Sequence, residues 1–240
     1  MKSTRFWMFL ASAAMILITV PKAKADSYGF GTLDVTIWNG TYGSGVTDIA
    51  TSASQPTISP IGTYTYDGPL NFVNDSGQNS SGSNNTFLDF FNSNGSTNYL
   101  SDLTAVSGDS VSTLENLVMS SSGETTPSAI NTYMLIAGTI VGSSGEMVTL
   151  SSDDGSSLYV NGSTLISMAG PQSQMTETAM LPTGSNPFSL VYVESNGAPA
   201  VLQMSVTPEP TSLLLLGTGL LGLALVVSRK ARQKPGFMAR

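Results

Sequence analysis

The sequence predicts an all-β fold, an antiparallel β-sandwich (jelly-roll-like) with one short helix, set between an N-terminal signal peptide and a C-terminal transmembrane helix. Three observations carry this reading. Short runs of β-branched and aromatic residues alternate with Gly, Asn, Asp, Ser and Pro clusters through the middle of the chain. Two long apolar runs lie at the two ends, at Phe6 to Val20 and Leu213 to Val227. All 9 cationic side chains flank those runs, so the stretch from 26 to 228 holds the 16 acidic residues and no Lys or Arg.

Residues 1–25 combine a positive start (Lys2, Arg5), the first apolar run and Ala23-Lys24-Ala25, a small-x-small cleavage site before Asp26. That order is a secretory signal peptide and makes a signal peptidase the first expected partner. The domain expected to follow, 26–206, opens with strands at Leu33 to Trp38 and Gly62 to Tyr66, and 74–86 reads as a loop of Asn, Ser and Gly. Behind Ser110, a candidate cap, Val111, Leu114, Leu117 and Val118 keep helical spacing and predict the short helix. Strands are then expected at 133–141, 147–152, 156–160, 164–167, 175–181, 188–193 and 200–206. Along 188–193, Phe188, Leu190 and Tyr192 share one face, and Ser189, Val191 and Val193 the other. Asn161-Gly162 between Leu158-Tyr159-Val160 and Thr164-Leu165-Ile166 is a hairpin signal. The sandwich is expected to begin near Thr32 and end near Val206.

Composition excludes much chemistry. With no His and no Cys, the Ser-His-Asp and Cys-His triads, thiolate nucleophiles and zinc sites built on those ligands are absent. A net charge of −7 with every cation at the ends speaks against a nucleic-acid partner. No carboxylate between 26 and 228 has a cationic neighbour in sequence, so water, backbone amides or a bound cation must neutralise clustered acids.

After the domain, Pro208-Glu209-Pro210 precedes the second apolar run and then Arg229, Lys230, Arg232 and Lys234. Leu213 to Val227 gives about 22 Å of helix, and the span is read as 212–228, short for a hydrocarbon core of about 30 Å. The basic cluster should stay cytoplasmic, leaving the domain across the membrane. Residues 207–240 resemble the PEP-CTERM sorting signal of Gram-negative bacteria that make exopolysaccharide. The resemblance implies recognition by an exosortase near Pro208, Glu209 and Pro210, export across the inner membrane, and release to the cell surface or extracellular matrix. Gln233 to Arg240 extends beyond the usual end of that signal, so a permanent anchor is the alternative.

One constellation carries candidate chemistry. Ser152-Asp153-Asp154-Gly155 places two adjacent carboxylates between expected strands, and its two readings are a turn and a metal site. Oxygen ligands without His or Cys would select calcium. The surrounding residues, Gly138-Thr139-Ile140, Val148 to Gly155, Leu158 to Gly162 and Leu190-Val191-Tyr192 with Glu194, resemble the carbohydrate-binding sandwich of the anthrax protective antigen and yeast flocculins over roughly 132–206. That resemblance implies calcium held by Asp153 and Asp154 through a cis peptide, with Asn196 completing the site, and vicinal hydroxyls of an exopolysaccharide as ligand. Trp38, Tyr42 and Tyr64 could stack on a sugar or belong to the core, with the core favoured.

Three functions compete: a calcium-dependent polysaccharide-binding surface or matrix protein, a structural matrix or adhesion protein without a specific ligand, and a glycoside hydrolase. The last needs two carboxyl groups about 5 to 9 Å apart across a cleft. Neighbours in an extended chain face opposite ways, and nothing in the spacing of Glu146, Glu177 and Glu194 selects a second acid. The expectation is a non-enzyme.

Overall fold

The computed structural model describes residues 30–74, 84–92, 97–106, 109–121, 128–207 and 212–232. The signal peptide and Pro208-Glu209-Pro210 lie outside them.

Among these residues the strands are β1 (Leu33–Thr41), β2 (Gly62–Tyr66), β3 (Asn71–Asn74), β4 (Asn84–Thr86), β5 (Leu103–Ala105), β6 (Val118–Ser121), β7 (Ile130–Gly142), β8 (Met147–Asp153), β9 (Gly155–Val160), β10 (Ser163–Met168), β11 (Met175–Met180), β12 (Gly184–Glu194) and β13 (Ala200–Thr207). They form a seven-stranded sheet ordered β10-β9-β12-β7-β1-β2-β5, a four-stranded sheet ordered β11-β8-β13-β3, and the ribbon β4-β6. Every pairing is antiparallel, as in β7 with β12 from Gly142↔Gly184 to Thr132↔Glu194. The expected all-β sandwich is therefore what the chain builds.

Each strand enters its sheet on a period of two. Phe188, Leu190 and Tyr192 of β12, Met134, Ile136 and Ile140 of β7, and Val148, Leu150, Leu202 and Met204 of β8 and β13 share one core. The opposite face of the seven-stranded sheet is buried too, around Trp38, Tyr133, Val191 and Val193. The segment between β1 and β2 lies over it. Trp38 Nε1 donates to the Ile58 carbonyl at 2.9 Å, and Tyr133 Oη donates to the Thr51 carbonyl at 2.8 Å. Trp38 and Tyr64 are core residues, 4% and 3% exposed, and Tyr42 is half-buried.

Several expectations need correction. Among its described residues the domain holds two short α-helices, α1 (Phe87–Phe91) and α2 (Val111–Glu115), where the sequence predicts one. Thr86 caps α1, its Oγ1 accepting from the Asp89 amide at 3.1 Å, and Phe87, Phe90 and Phe91 enter the core. Ser110 stands at the start of α2 without a side-chain bond to the backbone. Leu117 and Val118 leave the helix, and Val118 opens β6. The end of the expected loop 74–86 is strand β4, and 75–83 lies outside the described residues. The hairpin at Asn161-Gly162 forms as expected, with φ of 53° and 76°, the paired left-handed conformations that this turn requires.

At the C-terminus, α3 (Ser212–Arg232) covers the expected span 212–228. Its Leu220, Leu221, Leu223, Leu225 and Val226 are 56 to 65% exposed. Among the described residues searched, no helix is long and apolar enough to cross a membrane.

Candidate metal and ligand site

Asp153 ends β8 and Gly155 begins β9. Since β8 belongs to the four-stranded sheet and β9 to the seven-stranded one, the aspartate pair sits where the chain steps between sheets. It is not a hairpin turn. Gly155 serves a close approach there: a Cβ on it would stand 2.7 Å from the Ala169 carbonyl oxygen and 3.1 Å from Ala50 Cβ. The Asp153–Asp154 peptide bond is cis, as is Ala198–Pro199.

Both carboxylates are buried, Asp153 at 8% exposure and Asp154 at 2%. The backbone amide of Ser195 donates to Asp154 Oδ2 at 2.9 Å, and Ser195 Oγ donates to the same oxygen at 3.2 Å. Ser152 Oγ donates to the Asp154 carbonyl at 3.2 Å and pairs with Ser156 Oγ at 2.7 Å. Asp153 has no such clamp on its side chain beyond the Gln174 amide, and its carboxyl is pushed up to about 6, first by burial and then by the charge of Asp154.

Behind the pair lies a third acid. Glu194 is fully buried, and its Oε1 accepts from Ser120 Oγ at 2.9 Å. Tyr192 Oη stands 2.6 Å from both the Asp153 carbonyl and Glu194 Oε2. One phenolic proton cannot serve two acceptors. Burial, followed by the charge of Asp154, raises the Glu194 pKa well above the usual carboxylate value, so the geometry fits a protonated Glu194 that donates to Oη while Oη–H donates to Asp153. A neutral relay of Ser120, Glu194 and Tyr192 thus fixes the peptide that carries Asp153.

The structure brings Asp153 and Asp154 together and places Asn196 one residue after Ser195, with its side chain exposed. No hydrogen bond joins Asn196 to either aspartate among the described residues. Three or more His, Cys, Asp or Glu side chains in metal-holding array do not occur among the described residues searched. Of the residues gathered here, Asp153 and Asp154 are the ones that could hold a cation. All-oxygen donors and two buried like charges without a cationic side chain suit a hard divalent ion.

Residues 206–230 match the model of the PEP-CTERM protein-sorting motif. No curated protein matches the chain. Among solved structures, the chain is similar to a PA14 sugar-binding domain from an RTX adhesin, at 16% identity and a TM-score of 0.44 over 74% of this chain and 89% of that one. It is similar to the PA14 domain of the MpAFP antifreeze protein, at 14% identity and a TM-score of 0.45 over 75% and 83% of the two chains. The epithelial adhesin 9 A domain from Candida glabrata, solved with Galβ1-3GlcNAc, gives 10% identity and a TM-score of 0.41 over 75% and 83%.

Proposed function

We propose that the protein is an exported surface or extracellular-matrix protein, without enzymatic activity, whose sandwich uses calcium to bind polysaccharide. Calcium would sit on Asp153, Asp154 and Asn196 and offer open coordination positions to vicinal sugar hydroxyls. The observation that carries this reading is the pair of buried, adjacent carboxylates in a domain whose sequence supplies no cationic side chain. Sorting would follow from the C-terminal motif: signal peptidase removes residues 1–25, and an exosortase at the inner membrane acts near Pro208-Glu209-Pro210. The Ser195 bonds to Asp154 favour a second reading, in which the pair only fastens the two sheets and the protein is a structural or adhesive matrix component.

Thermal melting separates the two. A ligand at a hundredfold excess over its Kd stabilises the fold by about 2.7 kcal/mol. At about 2 to 4 °C per kcal/mol, millimolar calcium should raise Tm by about 5 to 10 °C. Magnesium and sodium at matched ionic strength should do less, and Asp153→Asn with Asp154→Asn should abolish the calcium effect. Equal stabilisation by all three ions, or a calcium shift that survives the double substitution, would leave only the structural role.

A further inference from the structure

The outer face of the four-stranded sheet carries a groove of about 430 Å³. Its walls follow from strand alternation. Val148 and Leu150 of β8 turn into the core, as do Leu202 and Met204 of β13, so Thr149, Ser151, Gln203 and Ser205 are left on the outer face. Thr176 of the edge strand β11 and Gln174 just before it close one side. Among the described residues, every polar group lining the groove is a hydroxyl, an amide or main chain, with no carboxylate and no cation.

These side chains hold one another in place. Thr176 Oγ1 donates to Ser151 Oγ at 3.0 Å and Gln174 Nε2 donates to the same oxygen at 3.1 Å. Thr149 and Thr178 hydroxyls pair at 3.1 Å, and Gln203 Nε2 donates to Asn71 Oδ1. Ser151, only 7% exposed, accepts two hydrogen bonds, and its own O–H has no acceptor among the described residues. A buried hydroxyl with a donor still to satisfy, on the wall of an open groove, points to an acceptor supplied by a ligand.

We infer that this groove is a second binding site, independent of calcium, for an uncharged linear polysaccharide. Its ligand class is that of the proposed function, but its residues and its need for a metal are not. Neutral hydroxyls exchange both donors and acceptors with amides and hydroxyls, whereas a polyanion would meet a domain sequence of 15 acids and no cation. Three strand-to-strand steps of about 4.8 Å give a track about 14 Å wide, room for a few sugar rings.

The test uses full-length protein in mild detergent with EDTA, run on native gels containing hydroxyethylcellulose, dextran, galactomannan or alginate. At least one neutral polymer should retard the parent and Asp153→Asn/Asp154→Asn alike, and alginate should not. Gln203→Ala with Thr149→Val should weaken retardation at least tenfold. Thr176→Glu, a charge on an exposed edge strand that leaves the core untouched, should do the same if the double variant fails to fold. Retardation by no neutral polymer, equal retardation by alginate, or undiminished binding by the folded groove variants would overturn the inference. Binding that appears only with calcium and vanishes with the aspartates would overturn it too, while leaving the proposed function standing.

Discussion

Asp153 should make the domain less stable as the pH rises towards neutrality. Its carboxyl is raised from 3.8 to about 6, by burial first and by Asp154 second, against the opposing pull of the Gln174 amide. A group whose folded pKa lies above its unfolded one stabilises the fold when protonated. Its contribution is complete below the unfolded pKa and is lost as pH climbs through the folded value. A difference of about 2 units at 1.36 kcal/mol per unit is at most about 3 kcal/mol, or roughly 6 to 12 °C in Tm, lost between about pH 4 and 7. Glu194, raised in the same direction, steepens the fall. The domain sequence has no Lys or Arg whose ion pairs acid would break, so the usual opposing slope is weak. Melts followed by circular dichroism at pH 4, 5, 6 and 7 in EDTA should show the parent losing stability and Asp153→Asn losing markedly less. A variant whose Tm falls as steeply as the parent's would refute the assignment, as would a parent whose Tm rises over this range.

Gly155→Ala should cost about 1 to 3 kcal/mol in denaturant unfolding, because the new Cβ meets the Ala169 carbonyl at 2.7 Å; a neutral effect would mean that the β10–β11 connection yields freely. Glu194→Gln should change stability at pH 7 by less than about 1 kcal/mol, since the amide keeps a donor and an acceptor beside Tyr192 and Ser120. Glu194→Ala, which takes away the acceptor of the Ser120 hydroxyl and leaves a cavity beside Tyr192 Oη, should cost about 2 kcal/mol or more. Replacing Pro208, Glu209 and Pro210 together by alanine should hold the protein in the inner membrane on fractionation, and unaltered release into the medium would count against sorting through the motif.

Much of the sandwich was legible because runs of β-branched and aromatic residues alternate with turn-forming clusters, and Asp153-Asp154-Gly155 stood out because two adjacent carboxylates lie between expected strands in a stretch without Lys or Arg. Glu194 could be read inward, since it shares the parity of Leu190 and Tyr192. Its neutral partnership with Tyr192 and Ser120 could not, because β6 is distant in sequence. Val191 and Val193 signalled that β12 is buried on both faces, but nothing periodic marks the segment after β1 as its cover. Helix α1 is too short for periodicity to show, although Thr86 with Asp89 three residues on is a capping pattern. The groove escaped notice because Thr149, Ser151 and Gln203 are ordinary outward residues until pairing sets them side by side.

The placement of β13 between β8 and β3 has a mechanical meaning. Val201, near its start, lies opposite Asp153, and Thr207, at its end, lies opposite Met147 and leads directly to the C-terminal sorting segment. A ligand gripped at the aspartate pair and a tether at the C-terminus would therefore pull from opposite ends of the same pair of strands. Load along that line acts in shear, across all the β13–β8 rungs at once, where peeling would open them one by one. A domain strung this way would hold under tension far better than its thermodynamic stability alone suggests.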